Sequence, residues 1–484
     1  VTTAATPPND GPGVAELPAA GVARRFLALG FGEAASRLIA FAAMVYAARV
    51  LGAGPYGTIG VAAAVILYLN RVVDGGFELG LGVREVAADP SFVSEVAPSV
   101  LWVRTLMAVI LAGGATAVGL LLLPEPDGAV LAITSWGLVG VGIGSRWIHL
   151  GRQRPLVVAL AAITGQAVMA VVVVAVVRAP EHLYVVPAAQ VAGDLAVAGL
   201  MLAALRGSGV SLRPRIRWPV IRPLVPRSRH LVASALLGIV VYSSGLLFLR
   251  AVRDSEQAGF YAAAYSLVTF FLNVGAMYSL SLLSSLTRLA ADPDRQRDLY
   301  HAAFAHVFAI GFPVAVGGAL LAGPAIEAMF GSGFAAAAVP FAWLIWSIPV
   351  NLLRDVSLMA LMSRGKESLV FRITWVSALV SVALALVLVP PFGLAGAAVA
   401  TIVTEVFRAG MAATMARIQG FPFPSPRRFA KAGLAGLGMA AVLLVASPAG
   451  PWAAVPLGML GYGMGLILVG GLRLRGLGLP ELRV

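Results

Sequence analysis

The stretch LVVALAAITGQAVMAVVVVAVV, residues 156–177, carries no charged side chain and is bracketed by Arg152 and Arg154 before it and Arg178 after it. Its length matches the ~20 residues that an α-helix needs to cross the hydrocarbon core of a bilayer. The apolar residues run continuously, so the stretch reads as a helix; a barrel strand would alternate apolar and polar side chains over ~10 residues. Reading outward in both directions gives 14 such spans, at 26–48, 57–77, 99–122, 128–148, 156–177, 183–204, 231–249, 258–283, 301–322, 337–361, 369–389, 393–416, 429–447 and 453–471. The weakest signals are 128–148, which is rich in glycine, and 337–361, which holds Pro340, Pro349 and the pair Arg354–Asp355.

Composition agrees. Of 484 residues, 59% are hydrophobic and 12% charged, with a mean hydropathy of +0.90. A water-soluble domain carries about 25% charged residues and could not hide so much apolar surface. The expected fold class is therefore an all-α polytopic membrane protein. There is no cysteine, which excludes disulfides, zinc–thiolate sites and thiol chemistry. Residues 1–23 are small, polar and proline-containing, and are expected to be disordered. They show none of the apolar core of a signal peptide.

The net charge of +13 is explained by topology. Lysine and arginine concentrate in cytoplasmic loops. With the N-terminus in the cytoplasm, the external loops hold only Arg49, Arg178, Arg250 and Arg253, and, leaving aside Arg146 at the cytoplasmic end of its span, six more arginines lie within spans: Arg37, Arg71, Arg104, Arg354, Arg372 and Arg408. Nearly all other basic residues fall on the cytoplasmic side. A single miscounted span would invert every later loop, so the asymmetry supports both the count and cytoplasmic N- and C-termini in a cell membrane. The connection 205–230 carries Arg206, Arg213, Arg215, Arg217, Arg222, Arg227 and Arg229 and no acid. It reads as a charge signal that holds this loop inside, in touch with anionic lipid headgroups, or as a site for a cytoplasmic partner. It also divides the chain into an N-lobe (24–204), a C-lobe (231–416) and a C-terminal pair of spans with a tail (417–484).

The two lobes carry a faint repeat. The second span opens with Tyr56-Gly57-Thr58 and reaches Leu69-Asn70; the eighth opens with Gly259-Phe260-Tyr261 and reaches Leu272-Asn273. An offset of six spans preserves orientation, so the halves are expected to be parallel repeats. Transporters built this way bind substrate at the repeat interface.

Ala48-Arg49-Val50-Leu51-Gly52-Ala53-Gly54-Pro55-Tyr56-Gly57 resembles the first external turn of Wzx-type polysaccharide flippases, in the multidrug/oligosaccharidyl-lipid/polysaccharide exporter superfamily. The stretch from Asp74-Gly75-Gly76-Phe77-Glu78 to Arg84-Glu85 resembles the family pattern after the second span. Ala258 to Tyr265 resembles the start of its eighth span, and Gly393 to Thr401 with Glu405 resembles its twelfth. The likeness is spread over residues 25–416. It implies two six-helix lobes forming a V around a central cavity, plus two C-terminal helices. It further implies that an undecaprenyl-diphosphate-linked oligosaccharide moves from the cytoplasmic to the outer leaflet by alternating access, with no cofactor, and with other polysaccharide-assembly proteins as partners.

Charges inside spans are functional candidates by default, and arginine suits a diphosphate because its planar fork donates two bonds. The cavity candidates for diphosphate and sugar are Arg37, Arg71, Arg250, Arg253, Arg354, Asn70 and Asn273. Glu33, Asp74, Asp194 and Glu405 are the candidates for ion coupling. Glu33 and Arg37 stand four apart on one helix face and read either as a phosphate site with its tuning acid or as a structural pair. Asn70 and Asp74 share a face, with Arg71 about 100° away. Asp254 and Glu256 stand close enough to neutralise Arg250 and Arg253. Arg354 and Asp355 point about 100° apart and are not expected to pair, whereas Glu405 and Arg408, three apart, are expected to lock together. His149, beside Arg146, reads as an interface residue.

No HExxH zinc motif or GxxxxGK[ST] phosphate loop occurs. Two competing readings remain. A cation-coupled multidrug exporter of the same superfamily calls for a cavity led by carboxylates and aromatics, whereas arginine is at least as prominent here. A membrane-embedded polysaccharide polymerase or ligase needs a large external loop, and the external loops are short.

Overall fold

The computed structural model describes residues 19–78, 80–89, 91–208, 216–473 and 481–482. Among them, twelve segments are long and apolar enough to cross a membrane. One of these, Glu367–Ile418, is two helices joined at Gly393, whose φ of 52° and ψ of −125° are non-helical. Pro390 and Pro391 stand just before this break, where the reversal brings the Gly396 backbone against the Leu388 carbonyl. The helix Ser255–Arg288, uncharged from Gln257 to Thr287, completes the set. The 14 membrane helices are α1 (Ala19–Leu51), α2 (Ala53–Asp74), α3 (Ala97–Leu122), α4 (Asp127–Gly151), α5 (Pro155–Val176), α6 (Val185–Arg206), α7 (Val225–Val252), α8 (Ser255–Arg288), α9 (Pro293–Leu320), α10 (Ser332–Ser363), α11 (367–392), α12 (394–418), α13 (Arg427–Ala446) and α14 (Pro451–Leu468).

Residues 1–18 of the segment expected to be disordered lie outside the described residues, and α1 is already helical from Ala19. Arg213 and Arg215 also fall outside them. The rest of the basic connection is more ordered than a loop. Trp218–Ile221 and Arg222–Leu224 form short helical turns, and α7 begins at Val225, six residues before the expected start.

Helix α5 shows how such a bundle packs. Its small or slender residues Ala161, Gly165 and Val173 are buried, whereas Leu156, Leu160 and Val171 are exposed. With lipid as apolar as leucine, helices gain by close van der Waals packing of small residues, so the bulky side chains are left facing outward. Helices α1–α6 form one lobe and α7–α12 the other. Helix α13 packs on α9 and α14 on α13. A two-residue antiparallel ladder, Leu472–Arg473 with Glu481–Leu482, follows α14.

The glycine-rich span is helical but interrupted, with pieces Asp127–Ser135, Gly137–Ile143 and Arg146–Gly151. Breaks leave carbonyls without helical partners, which membranes tolerate only where protein groups replace them. Fully buried Arg104 of α3 does this. It donates to Val141 O at 2.9 Å, to Gly144 O at 3.2 Å and to Val73 O, at the end of α2, at 3.2 Å.

The lobes meet along α2 and α8. At their first turns the backbones touch: a Cβ on Gly57 would lie 2.0 Å from Ser255 O, and one on Gly259 1.8 Å from Ala53 O. The residues that suggested the repeat therefore face each other across the lobe interface. Beside them Tyr56 of α2 inserts among the C-lobe rings Phe330 and Phe334, at 6.3 and 6.1 Å.

Candidate transport cavity and charged clusters

The end of the bundle that carries residues 216–230 is here the basic end; Gly57 and Gly259 mark the opposite end. Between the lobes lies a cavity of about 790 Å³, walled by α1, α2, α7, α8 and α10. Apolar side chains such as Phe41, Met44 and Leu272 form most of it, and Arg37, Asn273, Asn351, Arg354 and Asp355 supply polar groups. A second cavity of about 360 Å³ lies within the N-lobe and contains Glu33, Asn70, Glu78, Arg146, Gln166 and Asp194. Arg37 borders both.

Arg37 is 47% exposed, and its contact with Glu33 is long, at 3.8 Å. The close partner of Glu33 is Arg146 of α4, at 2.8 Å. Arg37 therefore keeps most of its donors free, and the expected Glu33–Arg37 pair is the looser of two. Asn70 lines the N-lobe cavity and not the central one, with its buried Oδ1 unpartnered. Asp194 shares that cavity and accepts from Gln190 at 3.0 Å. Gly137 and Gly140 of α4 give it room, since a Cβ at either would crowd it.

Several expectations need correction. Asp74 lines neither cavity: it accepts from Gly76 N and Glu78 N at 3.2 and 3.0 Å and meets Arg104 at 3.4 Å. Its carboxylate closes the turn at Gly75, so the face it shares with Asn70 by helical spacing does not give them a shared site. Arg71 lines neither cavity. Arg354 and Asp355 do pair, at 2.8 Å, because the long guanidinium stem swings back over its neighbour. Arg354 also donates to Glu405 at 2.5 Å and to the Tyr242 hydroxyl at 3.3 Å. Glu405 is thereby held mainly by α10, and its contact with Arg408 is only 3.8 Å. His149 is buried, with Nε2 2.8 Å from Met201 O.

At the opposite end Arg250 pairs with Asp127 of α4, which also accepts from Thr58 of α2 at 2.8 Å. Arg253 donates to Pro390 O at 2.7 Å, and Asp254 caps α8 by accepting from Gln257 N at 2.8 Å. The neutralising partners are therefore not the adjacent acids. Arg49 reaches from α1 to the Ala328 and Met329 carbonyls of the C-lobe. These bonds and the glycine crossing close the opposite end. At the basic end the α2–α7 seam is tied by Ser228 to Gly75 O and by Arg227 to Glu85, both at 2.6 Å. Along the α1–α8 seam Phe41 and Phe270 touch at 5.1 Å.

Asp127, Thr58 and Tyr242 carried no signal in the sequence, because each matters only through a partner on another helix.

Residues 47–339 match the polysaccharide biosynthesis protein family. The chain belongs to that family. No curated protein matches it by sequence. Among solved structures the fold is similar to a lipid II flippase, MurJ, in an inward closed conformation, with 14% identity over 92% of this chain and 98% of that one and a TM-score of 0.72. It is also similar to an inward-facing multidrug resistance MATE family transporter of the MOP superfamily, with 14% identity over 79% of this chain and 94% of that one and a TM-score of 0.66. A MOP superfamily transporter from Pyrococcus furiosus gives 16% identity, 82% and 95% coverage and a TM-score of 0.55. This member of the polysaccharide biosynthesis family thus has the multi-pass transporter fold of the MOP superfamily: two six-helix lobes around a central cavity, with two further helices.

Proposed function

We propose that the chain moves an undecaprenyl-diphosphate-linked oligosaccharide from the cytoplasmic to the outer leaflet of the cell membrane by alternating access, with its basic end and both termini in the cytoplasm. The observation that carries this reading is Arg37: a half-exposed arginine without a close counter-ion, on the wall of a large and mostly apolar cavity. A phosphate gives such a fork a charge-assisted, bidentate partner, and the apolar walls suit a lipid chain. Closure of the opposite end by Gly57, Gly259, Arg49 and Arg250 supports a state sealed at that end. Family membership places the chain in polysaccharide biosynthesis, where such cargo is used, and the MurJ neighbour is itself named a lipid II flippase. Glu33 and Asp194 in the N-lobe cavity are our candidates for ion coupling, because Arg37 borders that cavity too and can report its charge to the cargo site.

The test is transbilayer movement of a fluorescent undecaprenyl-diphosphate oligosaccharide in proteoliposomes, with and without a proton or sodium gradient. Protein-dependent movement that falls about tenfold or more in Arg37→Ala and partly returns in Arg37→Lys is expected. Normal movement by a correctly inserted Arg37→Ala chain removes Arg37 from the mechanism. No movement of several such lipids, with uptake of organic cations by the same vesicles, transfers the assignment to a drug exporter.

A further inference from the structure

A third cavity, of about 500 Å³, lies at the basic end between α2, α3, α7 and the short helical turns 218–224. It shares no lining residue with the central cavity. Its walls are apolar, from Val72, Val100, Met107, Ile221 and Leu236 among others. Three polar side chains reach it. Arg104 is engaged by backbone carbonyls and Ser228 by Gly75 O, which leaves Arg229. Among the described residues neither Arg229 nor its neighbours Arg217 and Arg222 forms an ion pair, and all three are exposed. Trp218, 58% exposed, stands at the same mouth.

A retention signal requires only charge. It does not require a chain-sized apolar groove beneath the charges. An apolar slot with Arg229 and Trp218 in its lining, and with Arg217 and Arg222 next in the chain to the lining residues Trp218 and Ile221, has the complement of one class of molecule, an anionic lipid with its chain in the slot and its phosphate among the arginines. We propose that this groove is a binding site for an anionic bilayer phospholipid of the phosphatidylglycerol type, separate from the cargo cavity. The assignment does not depend on what the central cavity carries.

The full chain in mixed micelles, titrated with brominated phosphatidylglycerol or brominated phosphatidylcholine, tests this. The part of the tryptophan fluorescence that Trp218→Phe removes reports on the groove mouth. Phosphatidylglycerol is expected to quench it at a mole fraction about fivefold or more below that for phosphatidylcholine, since each arginine near an anionic headgroup contributes about that factor. Replacing Arg217, Arg222 and Arg229 together by glutamine should abolish the difference, and lysine at all three should keep most of it. Ala233→Phe, which fills the slot but leaves the arginines, should reduce quenching by both lipids. Equal quenching by the two lipids, a preference that survives the glutamine variant, or undiminished quenching in Ala233→Phe overturns the proposal. So does displacement of phosphatidylglycerol by undecaprenyl phosphate at equal mole fraction, which would assign the groove to cargo. The lysine and Ala233→Phe arms decide the matter even where the glutamine variant does not fold.

Discussion

Each lobe contains one glutamate set between two arginines, and the two clusters are built alike but used differently. In the N-lobe Glu33 meets Arg146 across helices at 2.8 Å and Arg37 along its own helix at 3.8 Å. In the C-lobe Glu405 meets Arg354 across helices at 2.5 Å and Arg408 along its own helix at 3.8 Å. The difference is access. The side chains of Arg37, Arg146 and Glu33 are 47, 36 and 21% exposed, against 5, 8 and 2% for Arg354, Arg408 and Glu405. Arginines inside a span are therefore not equivalent. The sealed Arg354 serves the fold and is held by Glu405, Asp355 and Tyr242, while an open arginine is available to something that enters the cavity.

The largest effect that tests this contrast is on stability. Glu405→Ala leaves buried Arg354 with Asp355 alone and takes from buried Arg408 the carboxylate it meets. Removing one partner of a buried ion pair costs about 3–5 kcal/mol. The thermal midpoint of the purified chain should fall sharply, and much less membrane-inserted protein should accumulate. A midpoint unchanged from the parent chain would mean that the C-lobe cluster is hydrated after all, and the contrast between the lobes would fail.

The second effect is on transport and has the opposite signature. Arg37→Ala removes a half-exposed group with no close partner, so its stability cost should stay within about 0.5 kcal/mol. Loss of one charge-assisted hydrogen bond to phosphate is worth roughly 1.5–3 kcal/mol, or about tenfold and more in transport. Arg354→Ala should instead fail through folding. Transport rate per correctly inserted molecule, measured beside the thermal midpoint, separates the two. If Arg354→Ala inserted normally and Arg37→Ala did not, the roles would have to be exchanged.

The clusters also show how much the sequence reveals. Membrane spans were legible throughout, because an uncharged run near 20 residues has one physical solution in a bilayer. Even the break between the eleventh and twelfth spans was visible in Pro390-Pro391-Phe392-Gly393. Gly57 and Gly259 stand out in the sequence through a faint likeness between the second and eighth spans, and the structure shows that they touch. Ion pairs were legible only along a helix. Spacing singled out Glu33–Arg37 and Glu405–Arg408, and both are the loose contacts of their clusters. Apart from Arg354 with its neighbour Asp355, the shortest pairs join residues far apart in sequence, such as Glu33 with Arg146, Arg354 with Glu405 and Arg250 with Asp127. A one-dimensional reading has no register between helices, so it cannot reach them. It also placed Asp74 in a site by its face, when the turn at Gly75 claims its carboxylate first.

A smaller effect is expected at Glu33. Glu33→Gln leaves Arg37 and Arg146 partly solvated, where water replaces the lost charge at little cost. The change in stability should stay below about 1 kcal/mol, as for partly exposed ion pairs. Transport should lose part of its dependence on the imposed proton or sodium gradient, because the carboxylate next to Arg37 no longer carries a charge to be matched. Full retention of that dependence would remove Glu33 from the coupling and leave Asp194 as the candidate in this cavity.

The smallest effect decides the most about Arg37. A double-mutant cycle between Glu33 and Arg37, read as thermal stability, measures how firmly the glutamate holds the arginine. An exposed pair four residues apart on one helix is worth about 0.3–0.5 kcal/mol, and at 3.8 Å the coupling should sit at or below that value. The Glu405–Arg354 cycle should give several times more, since its pair is short and sealed from water. A coupling above about 1 kcal/mol for Glu33 and Arg37 would mean that Arg37 is claimed by the fold in the manner of Arg354. Its open position on the cavity wall would then no longer argue for a phosphate partner. A weak coupling leaves the guanidinium free at a site where burial alone gives it no reason to be.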